Sequence, residues 1–261
     1  MSDIIIQKLE EQKLNELNPK KKETAKKYSL GEEIFSSVVH GIGALLAIAA
    51  LVLLIVFTVK HDGTAIDVVG VTIYGGTLIL LYTMSTLYHS ISNERAKKVL
   101  QVFDHCSIYF LIAGTFTPLT FTVLRNTGKT TWIVFGFVWL MAILGTILYS
   151  VFPRKFKVLN VTSYALMGWS ALFLIPALLK ELSTINCISS IYWLIIGGIT
   201  YTVGIIFYSL KKVKYFHSIF HIFVLGGSIC HFFCVLSYTL KIYSILSFTS
   251  GRISRSKSSK I

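Results

Sequence analysis

Charge is scarce in this chain. Of its 261 residues only 14 % are Asp, Glu, Lys or Arg, against roughly 25 % in an average soluble domain. Such low charge excludes a disordered or nucleic-acid-coating tail and argues against an ordinary cytosolic enzyme. Cysteine is scarce too. Cys106, Cys187, Cys230 and Cys234 mostly fall inside or at the ends of apolar blocks, as small packing residues rather than a disulfide framework. Acidic residues are outnumbered, 12 against 25 Lys and Arg, for a net charge of +13. The basic residues lie between the apolar blocks, where they act as topology signals, so no nucleic-acid partner is expected.

What the chain has in abundance is apolar sequence. Apolar residues make up 54 % and come in blocks near the roughly 20 residues that a helix needs to cross a bilayer core of about 30 Å. The blocks predict an all-α, polytopic membrane protein, a bundle of seven transmembrane helices. The predicted spans are Ile34–Val59, Val68–Tyr88, His105–Val123, Thr131–Phe152, Val161–Leu179, Ile188–Leu210 and His217–Leu240. A further apolar piece, Ile242–Phe248, reads as an extension or an interfacial segment. Three regions follow: a polar N-terminal segment over 1–33, a transmembrane domain over 34–248 and a basic tail over 249–261. Within the first, Ile4–Leu17 could form a short amphipathic helix ended by Pro19. Pro118 and Pro176 fall late in their spans, and Gly75–Gly76, Gly197–Gly198 and Gly226–Gly227 offer close helix contacts.

Basic residues in the connections set the orientation. Lys20, Lys21, Lys22, Lys26, Lys27, Arg95, Lys97, Lys98, Arg154, Lys155, Lys157, Lys211, Lys212 and Lys214 lie on one side. Only Lys60, Arg125, Lys129 and Lys180 lie on the other. The positive-inside rule then places the N-terminus in the cytoplasm. The basic residues of the tail (Arg252, Arg255, Lys257, Lys260) pull the other way, but the three loops agree with one another.

Ionisable groups inside apolar spans are costly and therefore functional candidates. In this topology His89 ends span two, Asp104 and His105 open span three, and His217 and His221 occupy the first turns of span seven. Segments distant in sequence thus deliver imidazoles and a carboxylate to one membrane depth. His217 and His221 are four apart and share a helix face; so do Ser85 and His89. Three imidazoles suit zinc and leave its fourth position open. Water at that position ionises near pH 7, at about the point where hydrolysis of a carbonyl becomes accessible. The expected metal ligands are His89, His217 and His221, with Asp104 hydrogen-bonding that water and carrying its proton, or ligating directly, and Ser85, just deeper than His89, orienting a ligand or bound water. His231 lies about 21 Å further along its helix than His217 and is expected to make a structural hydrogen bond. His40 either supports the site or packs. Glu32 and Glu33 suit a helix N-terminus and need no further role. Tyr88, Tyr109, Tyr149 and Trp193 read as interfacial belts.

At these residues the sequence resembles the hemolysin III family, within the progestin and adipoQ receptor superfamily. The matching stretches are EEIFSSVVHGIGALL from Glu32, STLYH from Ser85 to His89, DHCSIYFLIAGTFTP from Asp104 to Pro118, and HSIFH from His217 to His221. The resemblance implies a seven-helix fold with a cytoplasmic N-terminus, and a zinc site on His89, His217 and His221 with Asp104 and Ser85 nearby. The expected function is a cell-membrane protein, bacterial in its composition, that meets membrane lipids and hydrolyses a lipid amide or ester, as ceramidase-like members of the superfamily are associated with doing. The alternatives are a membrane-damaging cytolysin, as the family name implies, and a zinc-stabilised receptor or sensor without catalysis.

Overall fold

The computed structural model describes residues 28–153, 156–210 and 213–258, with Lys157 and residues 242–258 described by their backbone alone. The amphipathic stretch Ile4–Leu17, the lysines from 20 to 27 and four loop residues (Arg154, Lys155, Lys211, Lys212) lie outside the described residues.

Seven helical segments are long and apolar enough to cross a membrane. They are α1 (Leu30–Lys60), α2 (Ala65–Ser90), α3 (Glu94–Pro118), α4 (Lys129–Val151), a broken fifth span made of α5 (Lys157–Trp169) and α6 (Ile175–Thr184), α7 (Ser189–Ser209) and α8 (Phe216–Ser258). The predicted spans are found in the predicted order. Helices α1, α2 and α3 begin before their apolar blocks because capping residues start them in the polar connections. Ser29 and Glu32 form a reciprocal capping box at α1, and Thr64 and Asp67 do the same at α2, so each satisfies amides that the first turn leaves unpaired. Asn93 accepts from the Arg95 and Ala96 amides, both at 3.1 Å. That cap starts α3 at Glu94, so Asp104 and His105 sit in its third turn rather than at its opening.

The two span prolines mark where helix geometry changes. Beyond Pro118 the chain continues as one π-helical turn over Leu119–Val123. Pro176 lies in the first turn of α6, after a 3-10 segment over Ser170–Leu174, because a proline amide cannot donate to the preceding turn. The apolar piece after Leu240 is an extension: α8 runs unbroken for 43 residues, about 65 Å and more than twice the hydrocarbon thickness.

The spans pack in chain order, each on the next, and α8 closes the ring on α1. The third span is the most enclosed. In its most apolar stretch 72 % of residues are buried, against 28 % in α1. Helix α1 instead buries a single stripe (Ser36, His40, Gly43, Ala47, Ala50, Leu54, Thr58) spaced at three or four residues, and turns Leu45 and its neighbours outward. An outward apolar face is what hydrocarbon rather than water tolerates. Tyr88, Tyr109 and Tyr149 do not form belts; all three are buried in the bundle, where Tyr109 donates to Asn160 at 3.1 Å. A phenol with a hydrogen-bond partner is stable inside the protein, so apolar flanks alone do not push it to the interface. Trp193 is partly exposed.

Close packing at one glycine yields a test of this arrangement. A Cβ on Gly145 of α4 would run into the Tyr109 ring, whereas one on Gly136 would meet open space. Gly145→Val is expected to lose about 1–3 kcal/mol of stability, seen as a lower melting temperature in detergent, while Gly136→Val melts with the wild type.

Candidate metal centre

Four helices bring polar side chains to the end of the bundle where α1 begins. There the first turns of α1 and α8 are laced together. The Tyr215 amide donates to Glu32 Oε1 at 2.7 Å, Ser36 and Ser218 hydroxyls meet at 3.2 Å, and His40 Nε2 meets His221 Nδ1 at 2.8 Å. The contacts recur at one-turn intervals on both helices, so α8 enters the bundle in a register that turns His217 and His221 inward. Tyr215, at φ 64, takes the left-handed conformation as the chain turns into α8.

His89 arrives from the last turn of α2. Its side chain is 0 % exposed. Its Nδ1 lies 2.6 Å from Glu33 Oε2, and its Nε2 is buried with no protein partner. His221 Nε2 lies 3.1 Å from His217 Nε2. One ligand atom from each of His89, His217 and His221 falls within 4.8 Å of the others. The partnerless Nε2 of His89 is costly when buried, and three imidazole nitrogens around one point are the set a tetrahedral metal uses. The residues therefore fit a divalent ion. The three ring pairs sit 4.6 to 5.3 Å apart between centroids. Tyr28 covers the group, stacked on His217 at 4.3 Å and 10°.

Ser85 lies one turn deeper than His89 on α2, fully buried, and its hydroxyl has no protein partner. Asp104 is buried on α3 and close enough to His89 and His40 to act on both electrostatically. The same carboxylate faces His105, Nδ1 to Oδ2 at 3.4 Å. His105 does not join the three imidazoles. Its Nδ1 donates to Gln101 O at 2.9 Å, its ring stacks on Tyr149, and Tyr208 donates to its Nε2 at 3.4 Å. His231 is remote from the group and donates from Nε2 to Leu194 O at 3.3 Å, with its ring against Gly197.

Two residues at this end have roles that sequence reasoning missed or left open. His40 is held against His221 and is a partner of the cluster. Glu33 needs a correction: it is not merely a charge at a helix start. It bridges His89 and Lys97 Nζ, the latter at 2.8 Å from Oε1. Glu32 alone completes the cap. The one available signal was spacing, since Glu33 and His40 are seven apart and so share a helix face.

The comparisons agree with this picture. The chain matches the family model described as "Haemolysin-III related" over residues 28–232. It is 42 % identical to "Hemolysin-3 homolog" of Bacillus subtilis (strain 168) over 82 % of this chain and 98 % of that one. It is 43 % identical to "Hemolysin-3" of Bacillus cereus, over 80 % and 92 % respectively. It is also 31 % identical to the human "Monocyte to macrophage differentiation factor", over 64 % of this chain and 68 % of the relative. A seven-span bundle, the convergent histidines and a match running from Tyr28 to Phe232 together make this chain an integral membrane protein of the haemolysin-III-related family.

Proposed function

We propose that the protein is a zinc-dependent hydrolase of a lipid amide or ester, working at the cytoplasmic end of a bacterial cell-membrane bundle. The observation that carries the reading is the buried, partnerless Nε2 of His89 converging with the nitrogens of His217 and His221. The ion, held by these three, would supply Lewis acidity and a water ionised near neutral pH. The chain's own residues do the rest. Asp104 takes up a proton at its carboxylate and returns it to the leaving group. The Ser85 hydroxyl, free of protein partners, hydrogen-bonds the substrate carbonyl or the attacking water. Tyr28 shields the group from bulk water. A groove of about 240 Å³ between α1, α2 and α8, lined by Gly43, Ala47, Ala50, Leu78, Tyr82 and Ser228, suits an acyl chain. It starts within one turn of His40, whose ring meets Tyr82 at 5.0 Å. The basic connections support the cytoplasmic placement. Two relatives carry hemolysin in their names; we read membrane damage as a consequence of altered lipid.

The test is metal analysis of the purified protein, joined to incubation with ceramide and a long-chain ester in nanodiscs. About one zinc per chain and chelator-sensitive release of fatty acid are expected. Zinc without turnover of any lipid would favour the receptor or sensor reading. Ion conductance in liposomes that survives chelation would favour the pore.

A further inference from the structure

The partners of the inner histidines are unequal, and the inequality has a consequence. His221 Nδ1 meets another imidazole, His40 Nε2, at 2.8 Å. His89 Nδ1 meets a carboxylate, Glu33 Oε2, at 2.6 Å. With that nitrogen engaged, only Nε2 of His89 is left for a metal, so Glu33 fixes both the tautomer and the ring orientation. The carboxylate is itself fixed. Its second oxygen takes the Lys97 ammonium at 2.8 Å. Lys97 in turn donates to Ile91 O at 3.4 Å and lies 5.1 Å from the centre of the Tyr88 ring. The ammonium thus ties the α2–α3 turn to the first turn of α1 across the back of His89.

We infer that Glu33, clamped by Lys97, is the positioning residue that sets metal affinity at His89. The inference rests on the metal reading of the cluster. Glu33 is not part of the helix cap, because Ser29 and Glu32 form the capping box of α1. Its side chain is only 14 % exposed, and a carboxylate so placed at the end of an apolar helix is costly unless it is paired and used. A carboxylate behind a ligating imidazole holds the ring and raises its basicity, and losing it typically weakens metal binding 10- to 100-fold. Lys97 has the opposite electrostatic sense: it draws charge from the carboxylate but restrains its position. Geometry dominates here, because a freed Glu33 can rotate away from Nδ1 toward the polar end of the bundle.

The experiment is zinc affinity by chelator competition on the full chain in detergent, with the visible spectrum of the cobalt-substituted protein as a second readout. Glu33→Gln, Glu33→Ala, Lys97→Met and a control, Glu94→Gln, are compared with wild type. Glu94 is exposed on the first turn of α3. Glu33→Ala is expected to weaken zinc by about 10- to 100-fold, Glu33→Gln by less, and Lys97→Met measurably. The cobalt band should shift in all three, and Glu94→Gln should match wild type. Wild-type affinity and spectrum in the Glu33 and Lys97 variants would overturn the inference and leave the metal reading standing. A wild type that binds neither ion would overturn both. If the Glu33 variants fail to fold, Lys97→Met decides alone: an unchanged affinity rejects the clamp.

Discussion

Replacing His221 with alanine is expected to strip the metal from the protein. The variant removes one of the three converging nitrogens, and two imidazoles are too few for a stable tetrahedral site. It does further damage, because His40 loses the neighbour that holds its Nε2. A buried polar atom left without a partner costs about 1–3 kcal/mol, so melting temperature should fall together with zinc content. His231→Ala provides the contrast on the same helix. It removes the bond to Leu194 O and the ring's packing against Gly197 and Tyr201, about 15 Å along α8 from His221. Its zinc content should equal wild type even if its melting temperature falls. Metal analysis of the three purified proteins reads the result, and zinc retained in His221→Ala would dismiss the proposed ligand set.

Asp104→Asn should separate chemistry from binding. The change preserves shape, and Asp104 is not among the clustered ligands. Zinc content is therefore expected to stay near wild type. The side chain can no longer carry a proton, and loss of a positioned acid–base group lowers turnover by about 10²–10⁴-fold. Fatty acid release from the best lipid substrate is the measurement. Turnover near wild type would remove Asp104 from the proton path. Zinc lost together with turnover would instead make Asp104 a ligand, which its electrostatic reach to His89 makes worth testing. Relaxation of the carboxylate toward His105, 3.4 Å away, predicts a milder effect for His105→Gln than for Asp104→Asn.

Much of the architecture was open to reading in the order of residues. Seven apolar blocks of bilayer length can only be helices, because hydrocarbon leaves no other partner for backbone amides. Alternation of spans then puts His89, Asp104 and His217 at a common end whichever way the bundle faces. The four-residue spacing of His217 and His221 places both on one helix face. These inferences need only helix periodicity and span count.

Rotation of each helix about its axis is another matter, and most of what was missed follows from it. Periodicity shows that Glu33 and His40 share a face but not which helix that face meets. The His40–His221 contact sets it against α8, while the Glu33–His89 and Glu33–Lys97 contacts reach α2 and α3. Burial of Tyr88, Tyr109 and Tyr149 has the same origin, since a tyrosine near a span end suits the interface or the interior equally well until a partner such as Asn160 is in place. The chain alone thus determined how many helices cross and which residues reach one depth, because hydrophobic length and helical pitch are local properties. Which of those residues touch, and that Glu33 and Lys97 stand behind His89, emerged only with the packed bundle, because helix rotation is set by contacts between segments far apart in sequence.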